Sequence, residues 1–430
     1  MPPIRFLPRL LALALLLSAC GGSDAQSGPE ALPADGPQAL LQTATPNAAP
    51  SSRARIVDID TGEQHSIAVL DDGTVWTWGL SGNGQLGREV TIEDYGLPRL
   101  AEGVSGTMVS AGSAYSFVYD GTTLWGTGYN ASGYLGWGPS GDEQTFTAFA
   151  FPDLVDIDAH GAHVIALMAD STVRTWGEGS VGQVGNGTRP NHQVAPVLVA
   201  HQVEPGVLDT LDQVVAIAAG GAYSLVLRAD STVWAWGQNY YATLGTPEVA
   251  SAPPPNPSGA ASASGAATAW FSTIPVASLI DNVVAIAAGE NHALAVRADG
   301  TVWGWGSNRH SALAHPDENA VFVEPTQIEG LTDVVSVAAG SGYSLALKSD
   351  GTVWMWGTMS GLSNYPSPFH TIRRVTPLQN IVMLAADHHH ALAASEAGTL
   401  WGWGSNDQGQ VGSEEADETQ YPPVRVSFPN

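Results

Sequence analysis

The chain has 430 residues, of which only 13% are charged and 49 are glycine. Its formal net charge of −26 argues against binding to nucleic acid or anionic lipid headgroups, because an acidic surface repels phosphate. Few charges, many glycines and the lack of a long segment with helical periodicity predict a turn-rich β protein.

The first residues have the pattern of an export signal. Arg5 and Arg9 precede an apolar run at residues 10–17, which is too short to span a bilayer. We therefore expect a cleaved signal peptide over residues 1–19. An ordinary secretory signal and a lipoprotein signal are the two alternatives.

The end of this signal, LSAC at residues 17–20, resembles that of a bacterial lipoprotein. The resemblance implies cleavage before Cys20 and lipid attachment to its sulfur, and Cys20 is the only cysteine in the chain. Gly21 stands where an inner-membrane lipoprotein would carry Asp, which favours the outer membrane by analogy. Whether the domain faces the periplasm or the cell surface stays open.

Residues 20–53 are rich in Gly, Ala, Pro and Ser without periodicity, which predicts a disordered linker after the lipidated cysteine. Residues 54–430 then form one repeat domain. Seven copies of a motif ending in Trp-x-Trp-Gly, or a variant of it, are spaced 47 to 69 residues apart. Their closing glycines are Gly79, Gly128, Gly177, Gly237, Gly306, Gly357 and Gly404.

A repeat of about 50 residues made of short strands is typical of a β-propeller. We therefore predict an all-β fold, a seven-bladed β-propeller. The tail at residues 421–428 reads as an outer strand with no repeat after it, and the first repeat has no outer strand before it. We expect this C-terminal strand to pair with the first blade and close the ring.

Twelve of the fourteen tryptophans lie in the repeated motif. Trp76 and Trp78 are two residues apart on a strand, so they point to the same face. One interpretation of such pairs is a ligand-stacking platform. Because every copy carries the motif, we favour the other interpretation, in which the indoles are wedged between blades.

The consensus VVAIAAGxxxSLxLxxDGTVWxWGxNxxGQLG resembles the regulator of chromosome condensation repeat family, over nearly all of residues 56–428. The resemblance implies the seven-bladed propeller but no single function. The family's namesake is a nucleotide-exchange factor on chromatin, secreted bacterial relatives include protein inhibitors of β-lactamases, and plant members are photoreceptors. The export signal and the acidic composition argue against a chromatin role here.

One repeat position alternates between His and Tyr, which favours a packed aromatic side chain with a hydrogen-bonding tip over a catalytic group. It is occupied by His65, Tyr115, His163, Tyr223, His292, Tyr343 and His390. No nucleophile, zinc-protease or phosphate-loop motif is present in the sequence, and we expect neither catalytic residues nor a cofactor.

Departures from the repeat are better candidates for function than the repeat itself. They are predicted on loops of one face, and the largest is a Pro/Ala/Ser-rich insertion at residues 246–271. Exposed aromatic and histidine side chains on such loops suit recognition. The candidate ligand-binding residues are Trp137, Tyr240, Tyr241, Trp270, Phe271, His388 and His389.

Two of these candidates have alternative explanations. Trp137 and Trp270 are the two tryptophans outside the motif, and either could simply cover local apolar surface. His388 and His389 could hold a transition metal, but a third ligand cannot be placed from the sequence, so we expect no metal site.

We therefore expect a monomeric, lipid-anchored propeller of the bacterial cell envelope that binds a protein partner without catalysing a reaction. The first alternative is a polysaccharide- or peptidoglycan-binding module that uses Trp137, Tyr240 and Trp270 as stacking platforms. The second is a hydrolase or lyase with carboxylates near the central channel.

Overall fold

The structure is a computed structural model, and it describes residues 55–90, 96–249, 270–359, 369–413 and 418–429. The predicted signal peptide, Cys20 and the predicted linker lie outside these residues. No helix in the described ranges is long and apolar enough to cross a membrane.

Seven four-stranded antiparallel sheets follow one another along the chain. Blade 1 contains β1 (Ile56–Thr61), β2 (His65–Leu70), β3 (Thr74–Gly79) and β4 (Arg99–Ser105), and blade 2 contains β5 (Met108–Ala111), β6 (Tyr115–Tyr119), β7 (Thr123–Gly128) and β8 (Glu143–Ala150). Blade 3 contains β9 (Leu154–His160), β10 (His163–Met168), β11 (Val173–Glu178) and β12 (His192–Leu198). A separate hairpin, β13 (Ala200–Glu204) and β14 (Val207–Thr210), follows it.

Blade 4 contains β15 (Val214–Ala219), β16 (Tyr223–Arg228), β17 (Val233–Gln238) and β18 (Phe271–Ala277). Blade 5 contains β19 (Val283–Ala288), β20 (His292–Arg297), β21 (Val302–Ser307) and β22 (Val321–Ile328), with a short 3₁₀ turn at Arg309–Ser311. Blade 6 contains β23 (Val334–Ala339), β24 (Tyr343–Lys348), β25 (Val353–Gly357) and β26 (Arg373–Arg374), and blade 7 contains β27 (Ile381–Asp387), β28 (His390–Ser395), β29 (Leu400–Ser405) and β30 (Thr419–Val426).

The first strand of each blade contacts the first strand of the next, and β27 of blade 7 contacts β1 of blade 1. The ring is therefore closed, and the first strands surround its axis. The prediction of an all-β, seven-bladed propeller is confirmed. Pro196 and Pro325 lie in the outer strands β12 and β22, as expected for a residue that lacks a backbone donor.

The predicted mode of closure is wrong. The C-terminal strand β30 pairs with β29 of its own blade, not with the first blade. Blade 1 already has an outer strand, because β4 pairs with β3. The tail instead closes the ring through side chains: the Phe428 ring centroid lies 5.3 Å from that of Trp76 and 6.3 Å from that of Trp78.

The two tryptophans of each pair have different surroundings. The second member is fully buried, as in Trp78, Trp236 and Trp305. In Trp78, Trp236, Trp305 and Trp356 the indole N–H donates to a carbonyl of the preceding blade; Trp305 Nε1, for example, lies 2.8 Å from Thr243 O. The buried indole N–H of Trp403 has no such partner within the described part of the chain. The first member, such as Trp303, is half-buried. The predicted wedge between blades thus holds for the second indole of the pair.

The closing glycine of the motif is required by the backbone. Gly79 has a φ of +98°, in the left-handed region that glycine occupies without a steric penalty. A Cβ on it would lie 2.6 Å from Gln64 O, in the turn before the second strand. Glycine at this position therefore allows the loop after the third strand to pass close to the turn between the first and second strands.

Candidate functional site

The alternating His/Tyr position forms a ring of hydrogen bonds across all seven blade interfaces. Where the position is His, its Nε2 contacts a serine of the next blade, as in His65 and Ser116 at 2.8 Å. Where it is Tyr, its hydroxyl donates to a histidine carbonyl of the next blade, as in Tyr223 and His292. The remaining pairs are His163–Ser224, His292–Ser344, His390–Ser66, Tyr115–His163 and Tyr343–His390.

These histidines belong to the scaffold. His163 and His292 are buried, and burial lowers the pKa of His292 to about 4 and that of His163 to about 3. A neutral imidazole locked between blades has no access to a ligand. The interpretation of this position as structural fits the described geometry, and any function must lie where the blades differ.

An aromatic cluster projects from the loop between β17 and β18. The Tyr240 ring lies 4.9 Å from that of Tyr241 and 5.9 Å from that of Trp270, and both contacts are edge-to-face. The backbone fixes the cluster, because Asn239 N donates to Trp270 O at 2.7 Å. Trp270 is 48% exposed, so the cluster offers a rigid apolar surface to solvent.

Phe271 extends this cluster toward blade 3. The guanidinium carbon of Arg189 lies 4.0 Å from the centroid of the Phe271 ring. The same guanidinium donates to Ser180 O, which fixes its position. The structure thus brings four of the predicted binding residues to one sector, the junction of blades 3 and 4. Residues 250–269 of the insertion lie outside the described part of the chain.

Trp137 is placed elsewhere and has a packing role. It contacts the buried core of blades 2 and 3, and its ring lies 5.8 Å from that of Phe149. It also covers Gly126, where a Cβ would come within 2.7 Å of the indole. Of the two explanations considered for Trp137, coverage of local apolar surface fits its contacts.

The hairpin β13–β14 adds apolar surface to the same sector. It contacts β18 of blade 4, and Leu208 lies beside Gly187 near Ile274. Its side chains Val203, Val207 and Leu208 are 48%, 49% and 46% exposed. The sequence analysis did not predict this hairpin. The sequence feature that indicates an added segment here is the 60-residue spacing between Gly177 and Gly237.

His388 and His389 lie in a second site, at the centre of the ring. Asp387 Oδ1 is 2.8 Å from His388 Nδ1 and 2.9 Å from Nδ1 of His160, which belongs to blade 3. The rings of His160 and His388 stack with centroids 5.2 Å apart. His389 is turned away, with its ring nearly perpendicular to that of His388. The predicted loop residues of one face are therefore divided between a rim site and a central site.

The charges of the central site stabilise one another. Burial would raise the pKa of Asp387, but His160 and His388 hold it well below its usual range. Burial would likewise lower the pKa of His388, but Asp387, and then Glu63 and Glu290, raise it to about 9. Burial and the neighbouring His388 lower the pKa of His389. The arrangement is an anionic carboxylate held between two imidazoles.

Asp387 and His160 were not among the predicted site residues, although the repeat carries a signal for both. They occupy the repeat position that is glycine in the five other blades, at Gly62, Gly112, Gly220, Gly289 and Gly340. Aligning the copies at the conserved His/Tyr position reveals both exceptions. The sequence does not show that these residues, 227 positions apart, meet across the ring.

Comparisons with known proteins agree with the fold. Two models described as "Regulator of chromosome condensation (RCC1) repeat" match the chain and together cover more than half of it. The first matches residues 72–119, 170–227, 299–347 and 397–430, and the second matches 56–85, 214–242 and 283–311.

Among curated relatives, Protein pim1 of Schizosaccharomyces pombe is 28% identical over 72% of this chain and 60% of its own length. Ultraviolet-B receptor UVR8 of Arabidopsis thaliana is 24% identical over 70% of this chain and 65% of its own length. The chain thus spans less than two thirds of either protein.

Among solved structures, human WBSCR16 has a TM-score of 0.66 at 22% identity and covers 83% of this chain and 95% of its own. Prp20p of Saccharomyces cerevisiae has a TM-score of 0.62 at 21% identity, with 79% and 82% covered. At these identities the likeness concerns the fold. From the repeat matches and the sevenfold architecture together, the chain belongs to the RCC1 repeat family.

Proposed function

We propose that this chain is a non-enzymatic regulatory scaffold that binds a protein partner through the junction of blades 3 and 4. One observation carries the proposal: exposed apolar side chains concentrate in this sector. Among the described residues nine large apolar side chains are exposed, and six lie between positions 198 and 279. These six are Leu198, Val203, Val207, Leu208, Trp270 and Leu279. Leu279 lies in the connection from blade 4 to blade 5, and the other five lie on blade 3, on the hairpin or beside β18.

The composition of this sector suits a protein interface. Tyr, Trp, Phe and Arg are enriched at the centres of interfaces, where a few buried anchors supply most of the binding energy. Trp270 and Tyr240 form a rigid pair, and Arg189 over Phe271 adds a fixed cation. Little side-chain entropy is lost when preordered groups bind. The net charge of −26 would steer a basic partner toward the surface.

Proteins with this fold bind other proteins. The similar structure of Prp20p is described with "Its Binding Properties to Gsp1p and Histones", and another similar structure is that of Kap60 bound to yeast RCC1 (Prp20). These partners belong to those proteins. What they support for this chain is the coarser property, a propeller surface used for protein recognition.

We place the scaffold in the bacterial cell envelope, anchored by lipid on Cys20 and held off the membrane by residues 21–53. The support is the sequence of residues 1–20, with its basic front, short apolar run and single cysteine. If residues 21–53 form the flexible linker that their composition predicts, they would reach roughly 30 Å, which is enough to separate a propeller from the bilayer.

Affinity capture from envelope extracts tests the proposal. A soluble form without residues 1–19 and with Cys20→Ser should retain a protein partner. Trp270→Ala and Leu208→Asp should each reduce its recovery at least about tenfold, as expected for interface anchors. Leu100→Asp is the matched control, since Leu100 is 40% exposed on blade 1 and should leave recovery unchanged.

The same preparations should be tested against insoluble envelope polysaccharide. Protein capture that depends on Trp270 and Leu208 supports the scaffold. Polysaccharide binding that is lost in Trp270→Ala, without any protein captured, would instead establish the stacking module and overturn the proposal.

A further inference from the structure

His160 and Asp387 depart from the repeat at the same position and meet at the axis. Their blades, 3 and 7, are not adjacent, so the contact joins the ring across its centre. Glycine at this position is explained by crowding in other blades: a Cβ on Gly340 would lie 2.1 Å from Cε1 of Tyr343, and one on Gly289 would lie 2.6 Å from Gly340 O. Both exceptions occur in blades that carry His, the smaller ring, at the conserved aromatic position.

The hydrogen bonds of the cluster leave polar atoms unused. Asp387 is 3% exposed and its Oδ2 has no partner; His160 is 4% exposed and its Nε2 has none. Nδ1 of the half-buried His389, beside the cluster, is also without a partner. A buried polar atom without a hydrogen bond costs about 1–3 kcal/mol. Both residues replace a glycine of the repeat, and Asp387 keeps one carboxylate oxygen available for a further ligand.

The convergence of donor atoms suits a cation. One ligand atom from each of His160, Asp387 and His388 can be chosen so that all lie within 4.8 Å of one another. Two imidazoles with a carboxylate form a donor set for borderline divalent metals such as Zn²⁺, Co²⁺ and Ni²⁺, whereas Ca²⁺ and Mg²⁺ prefer oxygen alone. The two imidazole nitrogens lie 2.8 and 2.9 Å from Asp387 Oδ1. Only small side-chain movements are needed for these atoms to reach the Zn–N and Zn–O distances of about 2.0–2.2 Å that are typical of zinc sites.

The surroundings also favour a cation. The carboxylates of Glu63 and Glu290 act electrostatically on His388 from blades 1 and 5, at the equivalent turn position. Glu290 accepts a hydrogen bond from Ser341 Oγ, which fixes its position. Because His388 is partly exposed, the cluster is accessible to solvent on that side. A bound ion would have three protein ligands and would take further ligands from solvent.

We propose that His160, Asp387 and His388 form a binding site for one divalent transition-metal ion of the zinc class at the axis of the propeller. The ion would take the place of the two N–H hydrogens that now point at Asp387 Oδ1. It would tie blade 3 to blade 7 and add a fixed positive charge at the axis of the ring. This site is independent of the protein-binding sector.

Titration with Co²⁺, followed by visible absorption, and with Zn²⁺, followed by calorimetry, tests the site on the soluble chain after removal of metals with a chelator. We expect one equivalent of either ion and a rise in the unfolding temperature with Zn²⁺. His160→Gly and Asp387→Gly restore the glycine of the repeat and should weaken binding at least about 100-fold. His192→Ala removes an exposed histidine outside the cluster and should leave binding unchanged.

His388→Ser provides a test that does not depend on folding at the axis. Serine is tolerated at this partly exposed position of the repeat, because blades 2 and 6 carry Ser113 and Ser341 there. This variant too should lose the absorption bands and the thermal shift. A chain that takes up no stoichiometric Co²⁺ or Zn²⁺ overturns the proposal. So does uptake that persists in His388→Ser and in whichever glycine variants remain folded by circular dichroism.

Discussion

His390 Nε2 and Ser66 Oγ lie 2.8 Å apart and join the last blade to the first. The Ser66 hydroxyl donates to Gln410 O at 2.9 Å, so it accepts its second hydrogen bond from the imidazole N–H. Seven is an odd number, so a ring that alternates His and Tyr must place two blades of the same kind side by side, and here these are the His blades 7 and 1. Blade 1 therefore needs a serine to accept from His390 of blade 7, and it carries Ser66 directly after His65. The other His blades have Val164, Ala293 and Ala391 after the histidine.

Ser66→Ala should therefore destabilise the ring at its closure. The variant leaves the buried N–H of His390 without an acceptor, and we expect the free energy of unfolding to fall by about 1–3 kcal/mol. The urea midpoint measures this loss. Ser105→Ala, on an exposed edge of blade 1, should change the midpoint little, and equal effects of the two variants would count against the hydrogen-bonded closure.

The two tryptophans of blade 5 should differ in their contribution to stability. Trp305 is fully buried and bonded to Thr243 O, so Trp305→Ala should cost about 3–5 kcal/mol. Trp303 is half-buried beneath Arg297, and its Nε1 donates to Thr301 within the same blade. Trp303→Ala should cost clearly less in the same denaturation experiment. A larger loss at Trp303 would contradict the assignment of the wedge to the second indole.

Stability should decrease in mild acid because of buried histidines. Burial lowers the pKa of His292 to about 4, whereas an unfolded histidine titrates near pH 6.5. Between about pH 6.5 and 4 the unfolded chain binds more protons, so the free energy of unfolding falls as the pH falls, and His292 adds no slope above this window.

His292→Gln can still donate to Ser344 but does not titrate. We expect it to reduce the slope of unfolding free energy against pH by up to about 1.4 kcal/mol per pH unit within the window. Urea midpoints at a series of pH values provide the measurement. His192→Ala, at an exposed site, should keep the wild-type slope; an unchanged slope in His292→Gln would show that this imidazole is not held neutral.

Gly340→Ala should reveal the crowding around the axis. Its Cβ would lie 2.1 Å from the Tyr343 ring, and we expect a loss of about 1–3 kcal/mol from overpacking. Gly82→Ala is the matched control, because no heavy atom lies within 4 Å of a Cβ there. Its effect should stay within about 0.5 kcal/mol. Similar midpoints for the two variants would mean that the axial glycines are not sterically required.

Cys20→Ser should abolish attachment to the membrane. If the cysteine is lipidated, wild-type cells fed a radiolabelled fatty acid should label the protein, and it should partition into detergent. The variant should be unlabelled and soluble. Label retained in Cys20→Ser, or absent from the wild type, would rule out the lipid anchor.

Periodicity predicts the fold of this chain well but its sites less well. The repeated Trp-x-Trp-Gly motif and the prolines of β12 and β22 each depend on local geometry, so they indicate blades and outer strands directly. The prediction of the closure was wrong because the sequence of residues 421–428 is compatible with any free sheet edge. Only the structure shows that β4 pairs with β3, so that β3 of blade 1 has no free edge for the C-terminal strand.

The sites depend on contacts between distant blades, which a one-dimensional pattern does not contain. Tyr240, Tyr241, Trp270 and Phe271 could be found because they are close in sequence and break the repeat. His388 was found as part of a histidine run, whereas His160 and Asp387 were missed because each is a single substitution of a repeated glycine. The hairpin at 200–210 has no counterpart in other copies, so the repeat gives no guide to it.

Site-specific photo-crosslinking in the native cell tests the central claim most directly, namely that function resides where one blade departs from the others. A photoreactive amino acid at position 208 or 270 should give one and the same protein adduct, and the same group at position 100 on blade 1 should give none. Equal adducts from all three positions, or an adduct from position 100 alone, would contradict the assignment of the partner surface to the junction of blades 3 and 4.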